Sequence, residues 1–229
     1  MTSPVLEARG VTRVFQTRAE RLEVLSGVDF QVARGEFVSI VGPSGTGKST
    51  LLHILGGLDR PTAGRVLLDS HDLFGCPESE LPGLRNEKVG FVFQFHHLLA
   101  EFTVLENVAL PQLVAGASEA EAFGRAEQVL SEIGFTNRLT HRPAQLSGGE
   151  KSKAAVARAL VNQPAVVLAD EPTGSLDAAS SGALMDLLVG LNRDRGLTLV
   201  VVTHNPEVAR LGRRTLVMRD GKLWNDEEV

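Results

Sequence analysis

The sequence of 229 residues predicts an α/β fold with a mostly parallel sheet, an antiparallel β edge and a helical insertion. Short β-branched runs alternate with helical patterns along most of the chain. Two runs, Ala165–Ala169 and Leu197–Thr203, are almost wholly apolar, which is typical of strands buried on both faces of a parallel sheet. Between about residues 94 and 161 only helical patterns remain. The other predicted strands of this sheet are Glu36–Val41, Lys88–Phe93 and Arg214–Met218.

The remaining elements have equally local signals. The segments Val5–Ala8 and Leu22–Val32 predict short antiparallel strands at one edge of the fold. Lys48–Leu58 is apolar on nearly every face, which predicts a buried helix. Ser118–Glu121 forms a capping box before a second helix, and Asp177 can cap a third.

Composition and element order together predict one globular domain. We expect about 1–93 and 162–229 to form the α/β core with its antiparallel edge, and about 94–161 to form a helical subdomain. With 43% hydrophobic and 22% charged residues, the chain can bury a core, which excludes a disordered protein. The net charge of −5 argues against a nucleic-acid partner. No stretch approaches the roughly 18 apolar residues of a membrane span, so we expect membrane contact only through a partner protein.

A glycine-rich segment lies between a predicted strand and the buried helix. It fits the phosphate-binding pattern G-x-x-x-x-G-K-[ST]. The glycines let backbone N–H groups wrap phosphates, the lysine reaches the β- and γ-phosphates, and the hydroxyl beside it can bind Mg²⁺. A chance glycine-rich turn is the alternative, but the flanking strand and helix supply the context that the motif requires. The predicted nucleotide-binding residues are Gly42, Pro43, Ser44, Gly45, Thr46, Gly47, Lys48, Ser49 and Thr50.

Two carboxylates, Asp170 and Glu171, follow one of the apolar strands. Ligands of such sheets bind at the carboxyl ends of the strands, where the phosphate loop also lies. Asp170 is therefore placed to bind Mg²⁺, and Glu171 can act as a general base toward water. His204 follows the other apolar strand and is expected to sense the γ-phosphate at the same edge. The alternatives are a solvated acidic turn and a structural histidine.

A second candidate anion site begins a helix that runs to about Val161. Two glycines in its first turn cost about 1 kcal/mol each in helix propensity, which suggests close approach of the backbone to a phosphate. The alternative is merely a well-started helix, because Ser147 and Glu150 also satisfy a capping box. These residues leave open whether both anion sites combine within one chain. The segment consists of Leu146, Ser147, Gly148, Gly149 and Glu150.

In this order the motifs resemble those of the nucleotide-binding subunits of ATP-binding-cassette (ABC) transporters, over nearly the whole chain. The phosphate loop resembles Walker A, Leu146–Glu150 the signature, and the strand ending at Asp170 Walker B. The resemblance implies ATP and Mg²⁺ as cofactors, and a head-to-tail homodimer with each ATP between one chain's Walker A and the other's signature. It also implies that the catalytic residues are Glu171, His204 and Gln94, and that the Mg²⁺ ligands are Ser49, Gln94 and Asp170. The D-loop at the dimer interface would consist of Ser175, Leu176 and Asp177.

The chain departs from the family pattern at a few positions. It has no Tyr, so Phe15 is the candidate for the residue that stacks on adenine. Lys151–Lys153, of sequence Lys-Ser-Lys, stands where Arg/Gln-Gln-Arg is usual, Ser175 replaces a common Asn, and Asn205 a common Asp. None of these touches the catalytic carboxylate, so we expect an active ATPase.

Within the family, Gln94–Val108 and His141–Pro143 resemble most closely the ATPase subunits of lipoprotein-releasing systems. This implies ATP hydrolysis that powers release of lipoproteins from the bacterial inner membrane, by a subunit held peripherally at its cytoplasmic face. The alternatives are the ATPase of a related macrolide-type exporter and a cell-division regulatory ATPase that does not transport. A soluble ABC protein acting on DNA or ribosomes would need tandem cassettes or a long coiled-coil insertion, and 229 residues hold neither.

The segment Phe95–Glu106 is predicted to bind the transmembrane permease subunits. It follows Gln94 and places several large apolar side chains in a short loop before a helix capped by Thr103. An exposed groove there would receive a short cytoplasmic helix of the permease. The alternative is that these side chains pack under the helical subdomain.

Overall fold

The computed structural model describes residues 4–16 and 20–225, which form two sheets and seven α-helices in that part of the chain. The strands are β1 (Leu6–Gln16), β2 (Arg21–Val32), β3 (Phe37–Val41), β4 (Ala63–Leu68), β5 (His71–Asp72), β6 (Val89–Phe93), β7 (Val166–Asp170), β8 (Leu199–Thr203), β9 (Arg214–Arg219) and β10 (Lys222–Asn225). The helices are α1 (Lys48–Leu55), α2 (Leu81–Lys88), α3 (Val104–Val114), α4 (Glu119–Glu132), α5 (Gly148–Leu160), α6 (Ala178–Arg195) and α7 (Pro206–Ala209).

The larger sheet has the strand order β10-β9-β3-β8-β7-β6. Neighbouring strands from β9 to β6 pair in parallel, and β10 adds an antiparallel edge. All five strands predicted for this sheet are confirmed, with bounds that differ by two residues or fewer. β7 and β8 are buried along almost their whole length, as their apolar sequences predicted.

The smaller sheet is antiparallel, in the order β2-β1-β4-β5. β1 and β2 are the predicted edge strands, but β1 is longer than expected and extends to Gln16. β4 was not predicted, since its segment begins Ala-Gly-Arg and only its end is buried. The predicted helix Lys48–Leu58 is too long: α1 ends at Leu55, because Gly56 and Gly57 follow, and Gly57 has a left-handed φ of 71°.

Helices α3, α4 and α5 lie between β6 and β7 and share one apolar cluster. The capping boxes predicted at Thr103, Ser118 and Ser147 are all present. Asp177 caps α6 as predicted, by accepting a hydrogen bond from the Ser180 backbone N–H. A second cluster joins α6 to the parallel sheet, and a third lies between the two sheets around α1. Among the residues described, no helix has the length and apolarity to cross a bilayer.

Candidate nucleotide site

The parallel strands bring the sequence-predicted residues to one edge of the larger sheet. Val41, which precedes the phosphate loop, pairs with Thr203 at the end of β8. Asp170 pairs with Val202 on one side and with Phe93 on the other. Three of these strands are each followed directly by one candidate residue, namely Gln94, Glu171 or His204. These three residues therefore lie at neighbouring positions along the sheet edge.

The phosphate loop folds tightly against the rest of the chain. A Cβ on Gly42 would lie 2.4 Å from the carbonyl oxygen of Met218, so only glycine fits there. Gly45 and Gly47 have left-handed φ values of 80° and 99°, which glycine adopts without strain. Because α1 begins at Lys48, the loop runs directly into a helix N-terminus, whose backbone N–H groups and dipole favour an anion.

Lys48 is held inside this loop. Its side chain is buried, with 6% of the residue exposed, and its Nζ donates hydrogen bonds to the carbonyl oxygens of Gly42 and Pro43 at 2.7 and 2.9 Å. Both of these hydrogen-bond partners are neutral carbonyl oxygens. An added anion would therefore give the buried ammonium a partner of opposite charge. The loop and its lysine thus fit a phosphate group.

Ser49 and Asp170 meet across the site. The Ser49 hydroxyl donates a hydrogen bond of 3.0 Å to Oδ1 of Asp170. Burial raises the pKa of Asp170, and the negative charge of Glu171 raises it further. The hydrogen bond from Ser49 and the charges of His53 and Lys48 act in the opposite direction and lower the pKa of Asp170. A hydroxyl and a carboxylate are the hard oxygen donors that Mg²⁺ prefers beside nucleotide phosphates, so this pair fits the ion.

Glu171 and His204 form a second pair at the same edge. Nδ1 of His204 lies 2.9 Å from Oε1 of Glu171, and the backbone N–H of His204 donates to Oε2 at 3.3 Å. Glu171 has a left-handed φ of 44°, which is strained for a non-glycine residue, and its N–H donates to the carbonyl of Val202. The conformation directs the carboxylate to the histidine, in the shared location that the sequence predicted.

Gln94 lies against the segment that follows Glu171. A Cβ on Gly174 would come within 2.8 Å of the Gln94 amide nitrogen, and the Ser175 hydroxyl donates to the Gln94 carbonyl at 2.9 Å. Leu176 lies beside the start of α5, since a Cβ on Gly148 would be 3.1 Å from its side chain. The three loops predicted for catalysis, dimer contact and the second anion site are thus in contact.

The second anion site is well capped and open. The Ser147 hydroxyl accepts from the Glu150 N–H, and the Glu150 carboxylate accepts from the Ser147 N–H at 2.8 Å and from Arg138 at 2.9 Å. These contacts lower the pKa of Glu150 to about 2, the Ser147 backbone hydrogen bond having the largest effect. Ser147 and Gly148 are exposed beside a cavity of about 650 Å³ whose lining comes from residues 134–138, α5 and α6. The cavity is formed without the phosphate loop.

Phe15 lies on β1, where it pairs with Leu22 of β2. Farther along β2, Val24 and Leu25 are close enough to Gly47 that a Cβ there would lie 3.0 Å from each. Phe15 therefore lies on the strand pair that contacts the phosphate loop. Its ring is partly exposed, and the Arg13 guanidinium lies 4.5 Å from the ring centroid.

His53 is a further residue of this site that the sequence motifs did not indicate. Its Nε2 lies 4.0 Å from Oδ2 of Asp170. The available signal was the spacing to Ser49, because residues four apart share one face of a helix such as α1. His53 therefore contacts Asp170 from the same helix face as the Ser49 hydroxyl.

The segment Phe95–Glu106 is divided between surface and core. Phe95, Leu99 and Phe102 are 70%, 48% and 38% exposed, whereas His96 is buried and Leu98 packs against the helical cluster. The first three are exposed apolar side chains that follow Gln94 in the chain. The alternative of internal packing applies to His96 and Leu98.

The chain is similar to known proteins over nearly its whole length. The model of the ABC transporter family matches residues 25–174. The lipoprotein-releasing system ATP-binding protein LolD of Geobacter metallireducens is 48% identical over 224 residues, which cover 98% of this chain and 100% of the relative. LolD 2 of Caulobacter vibrioides is 50% identical over 223 residues, with 97% and 98% of the two chains covered.

Solved structures gave matches of the same extent. The dimeric structure of MJ0796, a bacterial ABC transporter cassette, is 42% identical with a TM-score of 0.86, and the match covers 95% of this chain and 96% of that chain. A post-hydrolysis dimer of MJ0796 bound to ADP and Pi is 41% identical with a TM-score of 0.87, at the same coverage.

Proposed function

This chain belongs to the ABC transporter family, and we propose that it is the ATP-hydrolysing subunit of a lipoprotein-releasing system in the bacterial inner membrane. The observation that carries the proposal is the pairing of Ser49 with Asp170 and of Glu171 with His204 at one edge of the sheet. Relatives named for lipoprotein release match nearly the full chain and support the choice of substrate. We further propose that residues 1–229 act as one domain, with the helical part at about 94–161.

ATP would bind with its phosphates in the loop of Gly42–Thr50. Backbone N–H groups and Lys48 would pair with the β- and γ-phosphates, and Phe15 would stack on adenine. Ser49 and Asp170, with Gln94, would hold Mg²⁺, which when bound neutralises charge that develops on the phosphates. Lys48 is already held within the loop, so its charge needs little rearrangement to meet the phosphates.

Glu171 is the proposed general base. Its carboxylate would accept a proton from the water that attacks the γ-phosphate, and His204 would orient that carboxylate and contact the phosphate. Gln94 would position the same water. The hydrogen bond between Nδ1 of His204 and Oε1 of Glu171 supports these roles, because it fixes the carboxylate at the sheet edge.

A second copy of the chain would complete each site. Leu146–Glu150 would bind the γ-phosphate held by the partner's phosphate loop, and Ser175–Asp177 would line the dimer interface. The support is the exposure of Ser147 and Gly148, together with the dimeric state of the related cassette. A helix N-terminus with exposed glycines allows a phosphate to approach the backbone closely.

The subunit would bind the cytoplasmic face of the membrane through permease subunits. We place that contact at Phe95–Glu106, where three exposed apolar side chains follow Gln94. This contact would couple nucleotide state to transport because Gln94 is proposed to lie at the Mg²⁺ ion and the water.

Replacement of Leu99 by Asp tests the docking surface. An unpaired charge in a buried contact costs several kcal/mol of association, so co-purification with the permease and lipoprotein release should fall together. Nucleotide binding by the isolated subunit should stay near wild type. V114D is the matched control, since Val114 is 74% exposed on the far end of α3 and outside the segment. Normal assembly of the Leu99→Asp complex would overturn the docking assignment.

Release of a lipoprotein from proteoliposomes tests the substrate. The wild-type subunit, reconstituted with its membrane partners, should release lipoprotein only when ATP is present. Efflux of a macrolide without lipoprotein release would favour the exporter alternative, and ATP turnover without movement of either substrate would favour the regulatory one.

A further inference from the structure

The turn Phe95–His97 is held to helix α5 at two points. His96 and His97 have left-handed φ values of 61° and 48°, which are unfavourable for residues other than glycine. Such a conformation persists when surrounding contacts fix it. Both contacts here come from the helix that begins with the signature glycines.

The first contact joins two buried side chains. Nε2 of His96 lies 2.8 Å from Oγ of Ser152, and that hydroxyl donates to the carbonyl oxygen of Gly148 at 3.1 Å. Because a hydroxyl has one proton, a hydroxyl that donates to Gly148 accepts its second bond from the Nε2–H of His96. The result is a continuous path from the turn to the first residue of α5.

The second contact is made by Arg158, near the other end of α5. Its guanidinium donates to the carbonyl oxygens of His96 and His97, both at 2.6 Å. Ser152 and Arg158 are six residues apart, or about 9 Å along the helix axis. Two separated attachments resist rotation of the turn relative to the helix, which one contact would not.

We propose that His96 and Ser152 are positioning residues that make the turn and helix α5 move as one body. Movement of the permease-facing segment then reaches Gly148, at the opposite end of the same hydrogen-bonded path, and its chain neighbour Ser147. This inference rests on the proposed function, because it assigns the segment to the permease and α5 to the partner's ATP. The path transmits position, and it takes no part in proton transfer.

The hydrogen bond between His96 and Ser152 lies in the interior of the chain. Ser152 is 1% exposed, so the contact is shielded from water. Its hydrogen bond therefore has no solvent substitute when one partner is removed.

The test uses the reconstituted complex with its permease, ATP and a lipoprotein. For Ser152→Ala, we expect lipoprotein released per ATP hydrolysed to fall about three- to tenfold, as loss of a buried hydrogen bond would give. ATP affinity of the isolated subunit should change little, and its thermal midpoint should fall by only about 2–4 °C, so that the subunit stays folded. S131A is the matched control, because Ser131 is an exposed serine on α4. S152T keeps the hydroxyl and should restore most of the coupling.

A double-mutant cycle with His96→Ala separates a direct link from two independent losses. If the path is real, the double variant loses no more coupling than either single variant. Additive losses, or a Ser152→Ala complex that couples as well as the Ser131→Ala complex, would overturn the inference. A wild-type complex that hydrolyses ATP without releasing lipoprotein would instead overturn the proposed function, so the two failures are distinguishable.

Discussion

The carboxyl edge of the parallel sheet and the start of α5 differ in how far one chain completes them. At the sheet edge, Lys48, Asp170 and Glu171 each have a hydrogen-bonded partner from the same edge. At the start of α5, Ser147 and Glu150 bond to each other, and the glycine that follows Ser147 is exposed. We infer that the first region positions a nucleotide by itself, whereas the second offers an anion site to another molecule.

The largest expected effect comes from Glu171→Gln, which removes the proposed base and keeps its shape. Turnover should fall by about 10²- to 10⁴-fold, because the amide cannot accept the water's proton. ATP binding should persist, and the variant should accumulate as a dimer with ATP. Phosphate release and size-exclusion chromatography measure the two effects.

The control for this change is Glu127→Gln, at an exposed position on α4. It should hydrolyse ATP at the wild-type rate. Near-normal turnover by the Glu171→Gln complex would show that Glu171 at the sheet edge is not the general base. The proposed difference between the two regions would then be wrong.

Lys48→Ala should act one step earlier, on binding itself. Loss of a charged hydrogen-bond donor to the phosphates should weaken ATP affinity about 10- to 100-fold. Isothermal titration of the isolated subunit measures the loss. Lys222→Ala, at an exposed position on β10, should bind ATP as the wild type does. Equal affinities for the Lys48 and Lys222 variants would argue against the loop as the nucleotide site.

Much of the sheet edge was predictable because its signals are local. Apolar runs of five and seven residues predicted the strands β7 and β8, and the glycine–lysine spacing predicted the loop between β3 and α1. Parallel pairing then placed Glu171 and His204 together, without any knowledge of side-chain conformation. The left-handed φ of Glu171 was not predictable, since it depends on the bond from its N–H to Val202.

Features that depend on contacts between distant segments were missed. β4 carries few residues that favour strands, and its pairing with β1 places Gly64 so that a Cβ would lie 2.4 Å from the Gly10 carbonyl oxygen. The division of the Phe95–Glu106 segment into exposed and buried side chains was not predictable either. Its large side chains give no distinguishing pattern in the sequence, yet His96 is buried in contact with Ser152 and Phe95 is exposed.

A smaller effect is expected from Gly42→Ala. The added Cβ would lie 2.4 Å from a β9 carbonyl oxygen, so the loop or strand must shift at a cost of about 1–3 kcal/mol. Urea unfolding should show this loss, and ATP affinity should fall with it. Gly124→Ala on α4 meets no atom within 4 Å and should be neutral or slightly stabilising. Equal stabilities for the two variants would contradict the tight packing of the loop.

The smallest effect should appear at the start of α5, as a change in how stability depends on pH. The pKa of Glu150 falls from 4.5 to about 2 on folding, so its carboxylate stabilises the fold above pH 4.5 and loses that contribution as the pH falls toward 2. Glu150→Gln should flatten the stability profile in this window by less than about 1 kcal/mol, because the ion pair with Arg138 is partly exposed. Chemical unfolding at a series of pH values measures it, and an unchanged profile would contradict the assignment.

The ATP affinity of the monomeric Ser147→Arg variant, measured beside that of Lys48→Ala, tests most directly whether the two regions serve different chains. If the start of α5 binds only the partner's nucleotide, the dilute Ser147→Arg subunit should bind ATP within about twofold of the wild type, although its dimer cannot hydrolyse it. We expect this separation of binding from turnover. If the Ser147→Arg monomer lost as much ATP affinity as Lys48→Ala does, both regions would contact one nucleotide within one chain. That result would contradict the assignment of the two regions to different chains.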